Sequence, residues 1–383
     1  MKYGKKNEIK LDPLKYNLML IGESGIGKTT IIKEYCEKLT GQDGYMFLEI
    51  GKEDGADCIN GINYLSCPEW DMDYDEDTNE IGFATYIDDV IENRTTDYKD
   101  LKVIVIDTAD ELFAIAEPEV IRLHNKENPM KKVSSINGAM GGFGAGMDKA
   151  IEIVLDKLWS LKKVGVSFII IGHTKMRNVT DPVTGEDYLQ LTTNMTQKYF
   201  NSLKTKVHIL GVASIDREII KQKTGKKNVV TKKDIEKGVV KSETRKITFR
   251  DDNYVIDSKS RMNNVMDSIP FDCNELINAI KSAIESEYSK SGKSLDEGKK
   301  EQAKEEAKAM ERVAESEAQS KDTALLKSKI TVIKGFCVSN KGNIEAIKPI
   351  LDKIKELGYD TPKEIDSIEA ADEVLELISL KGE

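Results

Sequence analysis

No stretch of this sequence approaches the roughly 18 consecutive apolar residues of a membrane-spanning helix, so no contact with a bilayer is expected. The first ten residues, MKYGKKNEIK, hold no apolar signal region, and a cytosolic protein is the expectation. The five cysteines, Cys36, Cys58, Cys67, Cys273 and Cys337, never fall at CxxC spacing. That argues against a disulfide framework or a zinc site and leaves reduced, buried thiols. There is no internal repeat. Nor is positive charge in surplus: 57 Lys and Arg against 67 Asp and Glu give a net charge of -10. A uniformly basic surface for nucleic acid is thereby excluded, and any such contact must be concentrated in a local patch.

What is present is 383 residues, enough for one large domain and an appended piece. The hydrophobic content of 39% is slightly low and the charged content of 32% high, which predicts a core beside long solvated stretches. An apolar run at 17–21 (NLMLI) enters a glycine-rich turn, after which Ile31, Ile32, Tyr35, Cys36 and Leu39 recur at helical spacing. Residues 45–50 (YMFLEI) and 103–106 (VIVI) are further predicted strands, the latter apolar enough to be buried on both faces. Asp148 is the predicted N-cap of a helix with Ala150, Ile151, Val154, Leu155 and Leu158 on one face, ending near Gly165 before the strand VSFIII. Residues 206–213 (KVHILGVA) give a fifth strand, and KITFR with NYVID, around Asp251 and Asp252, reads as a closing hairpin. Strands alternating with helices imply an α/β fold with a mostly parallel sheet.

The expected organisation is a core over 1–270, a charged helical linker over 271–324 and a small helical module over 325–383. Residues 284–325 are rich in Glu, Lys, Ala, Ser and Gln, with alanines where a strong coiled coil would carry larger apolar residues over several heptads. Apolar periodicity returns at Ile344, Ile347, Ile350, Leu351 and Ile354.

Gly22, Glu23, Ser24, Gly25, Ile26, Gly27, Lys28 and Thr29 satisfy the P-loop pattern GxxxxGK[ST], between a predicted strand and a predicted helix. Glycines let the backbone curl so that successive N–H groups and the helix N-terminus face a phosphate. Lys28 is expected to neutralise the β and γ oxygens of ATP and Thr29 to ligate Mg²⁺, with Thr30 next in the same turn. Asp107, at the end of VIVI, is the expected Walker B carboxylate for the same magnesium. A further carboxylate must orient water for hydrolysis, and Glu49, Glu53, Asp110 and Glu111 are candidates. His173 closes VSFIII, followed by Thr174 and Lys175, where a polar side chain can sense the γ-phosphate. His124 and His208 have no such setting.

Two stretches are candidates for DNA contact. One is residues 125–146, with Lys131, Lys132 and the glycine-rich GAMGGFGAG; the other is the basic insertion at 221–246.

Taken together, the P-loop, DYKDLKVIVIDTADEL, FGAGMDKAIEIVLDKLW, IIIGHTK and TFRDDNYVIDSKSR resemble phage-type RecA-like ATPases of the Sak single-strand annealing group, over roughly residues 15–270. The resemblance implies a RecA-like P-loop core that binds ATP and Mg²⁺, assembles into a homo-oligomeric ring or filament and binds single-stranded DNA. It also implies a role in recombination or annealing beside a single-strand binding protein, in the host cytoplasm if phage-encoded. Such ATPases carry the catalytic carboxylate just after the strand that follows the P-loop helix, which favours Glu49 or Glu53. In rings and filaments of this type a basic residue near the last hairpin reaches a neighbour's nucleotide, and Arg261, with Lys259 beside it and Arg250 on the other flank, is the expected residue. The insertion at 221–246 and the long C-terminal extension depart from the short family pattern. Two competing readings are a nucleotide-switched loading protein that docks a replication or recombination partner through its C-terminal helices, and a small-molecule kinase. The long Ala/Glu/Lys linker and the lack of an arginine-rich lid weigh against the kinase.

Overall fold

The computed structural model describes residues 7–53, 55–181, 183–227, 234–251 and 255–379, with the backbone alone at 223–227, 234–236 and 238. In chain order the elements are β1 (Leu18–Gly22), α1 (Lys28–Thr40), β2 (Tyr45–Ile50), β3 (Tyr64–Cys67), α2 (Phe83–Glu92), β4 (Val103–Asp107), α3 (Ala109–Glu127), α4 (Ala145–Lys163), β5 (Ser167–Thr180), β6 (Asp187–Thr193) and α5 (Gln197–Lys204). There follow β7 (Ile209–Lys227), β8 (Asp234–Thr248), β9 (Lys259–Ser260), β10 (Ser268–Pro270), α6 (Cys273–Ser289), α7 (Leu295–Ser339), α8 (Ile344–Glu356) and α9 (Ile368–Ser379). Residues 1–91 and 98–307 form one compact unit, and residues 92–97 and 308–383 a second.

The first unit is an α/β layer structure. Its sheet runs β10-β8-β7-β1-β5-β4-β2-β3, and every pairing from β3 to β7 is parallel. Period-2 alternation divides the apolar side chains between two faces. Met19, Ile21, Leu48, Ile104, Ile106 and Ile170 pack on one side with the buried faces of α2, α3, α4 and α5. Leu18, Leu20, Phe47, Val103, Val105 and Ile169 pack on the other with α1 and α6. Burial on both faces is why these strands are continuous runs of Leu, Ile and Val. On the first face Phe113 of α3 stacks on Tyr199 of α5, with ring centroids 4.1 Å apart and planes within 4°.

Several boundaries depart from the sequence reading. The helix predicted to start at Asp148 starts at Ala145, because Gly144 takes the left-handed cap position at φ 85°; Asp148 lies in its first turn. The strand predicted to end at His173 continues to Thr180 as an arm of a hairpin with β6. Its turn is built by Asp181, whose Oδ1 accepts from the backbone N–H groups of Val183 and Thr184 at 2.8 and 2.7 Å. Among the described residues KITFR does not pair with the end of NYVID. Residues 246–248 pair with β7 and β10, whereas Ile256 bridges Leu191 of β6; Asp252 and the first two residues of NYVID lie outside the described residues.

The basic insertion forms the outer arms of the β7–β8 hairpin, with Ile219 opposite Val240 and Ile220 opposite Val239. All four are exposed, so no core face enforces alternation at these positions. Residues 228–233, also part of that insertion, lie outside the described residues. The glycine-rich stretch after Glu127 is tied to the core through Asn125, whose side chain accepts from the Val133 N–H at 2.7 Å and donates to its carbonyl at 3.0 Å. His124 is buried there, accepting from the Met140 N–H at 3.1 Å.

The predicted linker at 271–324 begins with α6, whose Leu276, Ile277, Ile280, Ala283 and Ile284 are buried in the sheet's second core. Asp272 caps it, accepting from the N–H groups of Asn274 and Glu275 at 2.8 and 3.1 Å. Helix α7 supplies the charged, mostly exposed remainder, and up to residue 307 it belongs to the first unit. In the second unit Ile330 and Ile333 of α7, Ile350 and Ile354 of α8, Ile365, and Ala370, Ala371 and Val374 of α9 form a separate core. Among the described residues no helix is long and apolar enough to cross a membrane.

Candidate functional site

Six strands run parallel and deliver their C-terminal ends to one edge of the sheet, where α/β folds bind ligands. Gly22 ends β1 between His173 of β5 and Ala213 of β7. A Cβ there would lie 2.8 Å from the Ala213 Cβ and 3.0 Å from its carbonyl oxygen, so this position needs glycine. Gly25 and Gly27 have φ of 74° and 103°, in the left-handed region, and α1 starts at Lys28 directly after Gly27. The loop 23–27 thus ends on the positive end of a helix.

Lys28 is only 6% exposed, and its Nζ donates to the carbonyls of Gly22 and Glu23 at 3.1 and 3.0 Å. Burial pulls its pKa below the usual lysine value, against the raising effects of Asp107, Asp110 and Glu53. Thr29 Oγ1 donates to Asp107 Oδ2 at 2.7 Å, joining the two residues expected to hold magnesium. Burial raises the Asp107 pKa, as does Glu53, while the Thr29 hydroxyl, Lys28 and His173 oppose the rise.

The four candidate carboxylates have different settings. Glu49 is 5% exposed, in register with Asp107 across β2 and β4, and accepts from the Ala56 N–H at 2.6 Å. Glu53 follows β2 and accepts from Thr108 Oγ1 at 3.4 Å; its charge acts on both Lys28 and Asp107. Asp110, in the first turn of α3, accepts from the His173 backbone N–H at 2.8 Å, and its Oδ2 lies 3.2 Å from His173 Nδ1. Glu111 packs against Gly51, where a Cβ would lie 2.8 Å from its Oε2.

These residues converge: Gly22 through Thr30, Glu49, Glu53, Asp107, Asp110 and His173 all lie at or just beyond the C-terminal strand ends. Arg261 does not join them. It follows β9, which pairs with Ile209 and Leu210 at the opposite end of β7, and its guanidinium donates to the Thr205 carbonyl after α5. Lys259 is bound similarly, to the carbonyls of Lys204 and Val207.

Sequence reasoning missed two features of the site. The Asp110–His173 pair spans 63 residues and has no local signal. The second is the hairpin stem: Arg217 of β7 lies 3.7 Å from the Glu23 carboxylate, and Arg245 of β8 donates to the Ile26 carbonyl at 3.2 Å.

The donor set fits a nucleoside triphosphate with its magnesium ion. The glycine loop leaves open space around Gly25, Thr29 and Asp107 offer hard oxygen ligands, and the buried Asp110 Oδ1 and Thr174 Oγ1 have no hydrogen-bond partner among the described residues. When bound, magnesium would supply charge neutralisation at the phosphates. Fold and site together define a P-loop nucleoside triphosphatase domain. A family model described as an AAA domain matches residues 14–262, and the chain belongs to that family. No curated protein matches the chain.

Proposed function

We propose that this protein is an ATPase that uses nucleotide binding and hydrolysis to control binding to single-stranded DNA in phage-type recombination or strand annealing. The observation that carries the nucleotide part is the Thr29–Asp107 hydrogen bond at 2.7 Å beside a buried Lys28 and a left-handed Gly27. In this reading Lys28 neutralises phosphate oxygens, Thr29 and Asp107 hold the metal, and the backbone N–H groups of the loop and first helical turn bind phosphate. Glu53 orients the attacking water, since it shares the field of Lys28 and Asp107, whereas Glu49 is committed to the Ala56 N–H. His173 senses the γ-phosphate, and Asp110 fixes its ring.

The DNA part is supported by the β7–β8 hairpin, which starts beside the P-loop strand, and by the sequence 221–246, which holds ten Lys and Arg against three Asp and Glu. Phosphate neutralisation by such an arm makes binding salt-dependent. The resemblance drawn from the sequence supports assembly into a ring or filament, with Arg261 facing a neighbour, and a single-strand binding protein as partner. The test is binding to a fluorescent single-stranded oligonucleotide at low salt with ATP and Mg²⁺, with ADP, and without nucleotide. Tighter binding with ATP that weakens with salt is expected; equal binding under all three conditions would sink the reading.

A second reading follows from the separate apolar core formed by α7, α8 and α9. In it the nucleotide controls docking of a replication or recombination protein on these helices. Partner capture that depends on residues 325–383, without DNA affinity, would favour it.

A further inference from the structure

The stem of the β7–β8 hairpin touches the phosphate loop at two residues, Glu23 and Ile26. Arg217 lies 3.7 Å from Glu23, and Arg245 donates to the Ile26 carbonyl at 3.2 Å. Both arginines share Glu243, at 3.4 Å from Arg217 and 3.6 Å from Arg245. The Arg245 carbonyl in turn accepts from the Phe271 N–H at 3.0 Å, and the Phe271 ring lies 3.4 Å from where a Cβ on Gly27 would stand. The loop is therefore held at its start, near its end and over its last glycine by one continuous piece of sheet edge.

We propose that Arg217 and Arg245 are positioning residues of the nucleotide cradle, supplied in cis by the hairpin stem, that hold residues 23–27 in the curled conformation the phosphates require. The inference rests on the nucleotide-binding reading above and extends the site to a strand pair about 190 to 220 residues further along the chain. Its physical basis is preorganisation. A loop with left-handed glycines at positions 25 and 27 has many alternative conformations, and ordering it on binding opposes affinity. Anchors at Glu23 and Ile26 remove part of that cost before the nucleotide arrives.

The anchors differ in strength. The Arg217–Glu23 pair is half-exposed and long, so alone it is worth at most about threefold in affinity. The Arg245 hydrogen bond to a carbonyl is shorter, and its loss is expected to weaken binding about fivefold. Glu243 couples the two, so their effects are not additive.

The test is titration of a fluorescent ATP analogue with Mg²⁺ into the full chain, in parallel with melting of the free protein. Arg217→Gln with Arg245→Gln is expected to weaken binding about tenfold. Arg245→Lys, which keeps a donor, should stay within about twofold of the natural protein. A purely structural role would instead lower the melting temperature without separating Arg245→Lys from Arg245→Gln in affinity. Should the double variant not fold, Glu243→Gln releases both guanidinium groups without changing either anchor, and weaker nucleotide binding is again expected. Binding by the natural protein with unchanged affinity in the glutamine variants overturns the proposal alone. Absence of binding by the natural protein overturns the nucleotide reading and the proposal with it.

Discussion

Asp110 and His173 are joined twice, through the backbone N–H of His173 at 2.8 Å and through ring Nδ1 at 3.2 Å, both at the same Asp110 oxygen. The other oxygen, Oδ1, is buried and has no hydrogen-bond partner among the described residues. A carboxylate in the first turn of α3 thus fixes both the strand position and the ring direction of a residue in β5. Asp110→Ala leaves the His173 N–H without its acceptor and is expected to lower unfolding free energy by about 1–3 kcal/mol. Asp110→Asn keeps an acceptor and should lose less. Urea unfolding measures both, and ATP turnover in the alanine variant should fall about tenfold or more, as for loss of a residue that orients a working side chain.

Lys28 separates binding from stability. Its ammonium is buried, and that burial pulls its pKa down, so the charge disfavours folding even as its hydrogen bonds hold the loop. Lys28→Met is therefore expected to melt within about 3 °C of the natural protein or above it. Nucleotide affinity should nevertheless fall about 10–100-fold, the value of hydrogen bonds to charged groups. Calorimetry and nucleotide titration on one preparation check this, and parallel loss of stability and binding would refute it.

His208 predicts a pH dependence far from the site. Its Nδ1 accepts from the Asn17 N–H at 2.9 Å, and the Tyr16 ring packs edge-on at 5.5 Å. Burial, aided by the charges of Lys162, Arg261 and Lys259, lowers its pKa from 6.5 to about 4. The unfolded chain binds more protons between those values, so the contribution is complete at neutral pH and lost as pH falls from 6.5 towards 4. Stability at pH 5 should be about 1–2 kcal/mol below that at pH 7 from this group alone. His208→Gln should flatten that part of the unfolding profile.

Gly22 tests the close approach of β1 and β7. Gly22→Ala forces a Cβ to 2.8 Å from the Ala213 Cβ and is expected to destabilise by about 1–3 kcal/mol. Ala213→Gly in the same chain removes that contact and should restore part of the loss, while the Ala213 carbonyl at 3.0 Å keeps recovery incomplete. Full recovery, or none, in thermal melting would contradict this geometry.

Much of the α/β core was legible because its signals are local. The run at 17–21, the glycines at 22, 25 and 27, and the VIVI strand ending at Asp107 each carry pattern and function within a few residues. The β5–β6 and β7–β8 arms were not legible, since exposed arms carry polar side chains on both faces and lose the period-2 pattern that marks a half-buried strand. The same masking hid α6, whose buried face follows directly on a turn and was read together with the charged stretch behind it.

By itself the sequence determined that a P-loop pattern exists and which residues compose it, because steric freedom at glycine and the chemistry of Lys28 and Thr29 are properties of adjacent residues. Only the tertiary structure decided what surrounds that cradle. It brought Asp110 to His173 and Arg217 and Arg245 to the loop, and it set Arg261 at the far end of β7. Those relations depend on strand order and register, which arise from packing across the sheet and leave no trace in local spacing.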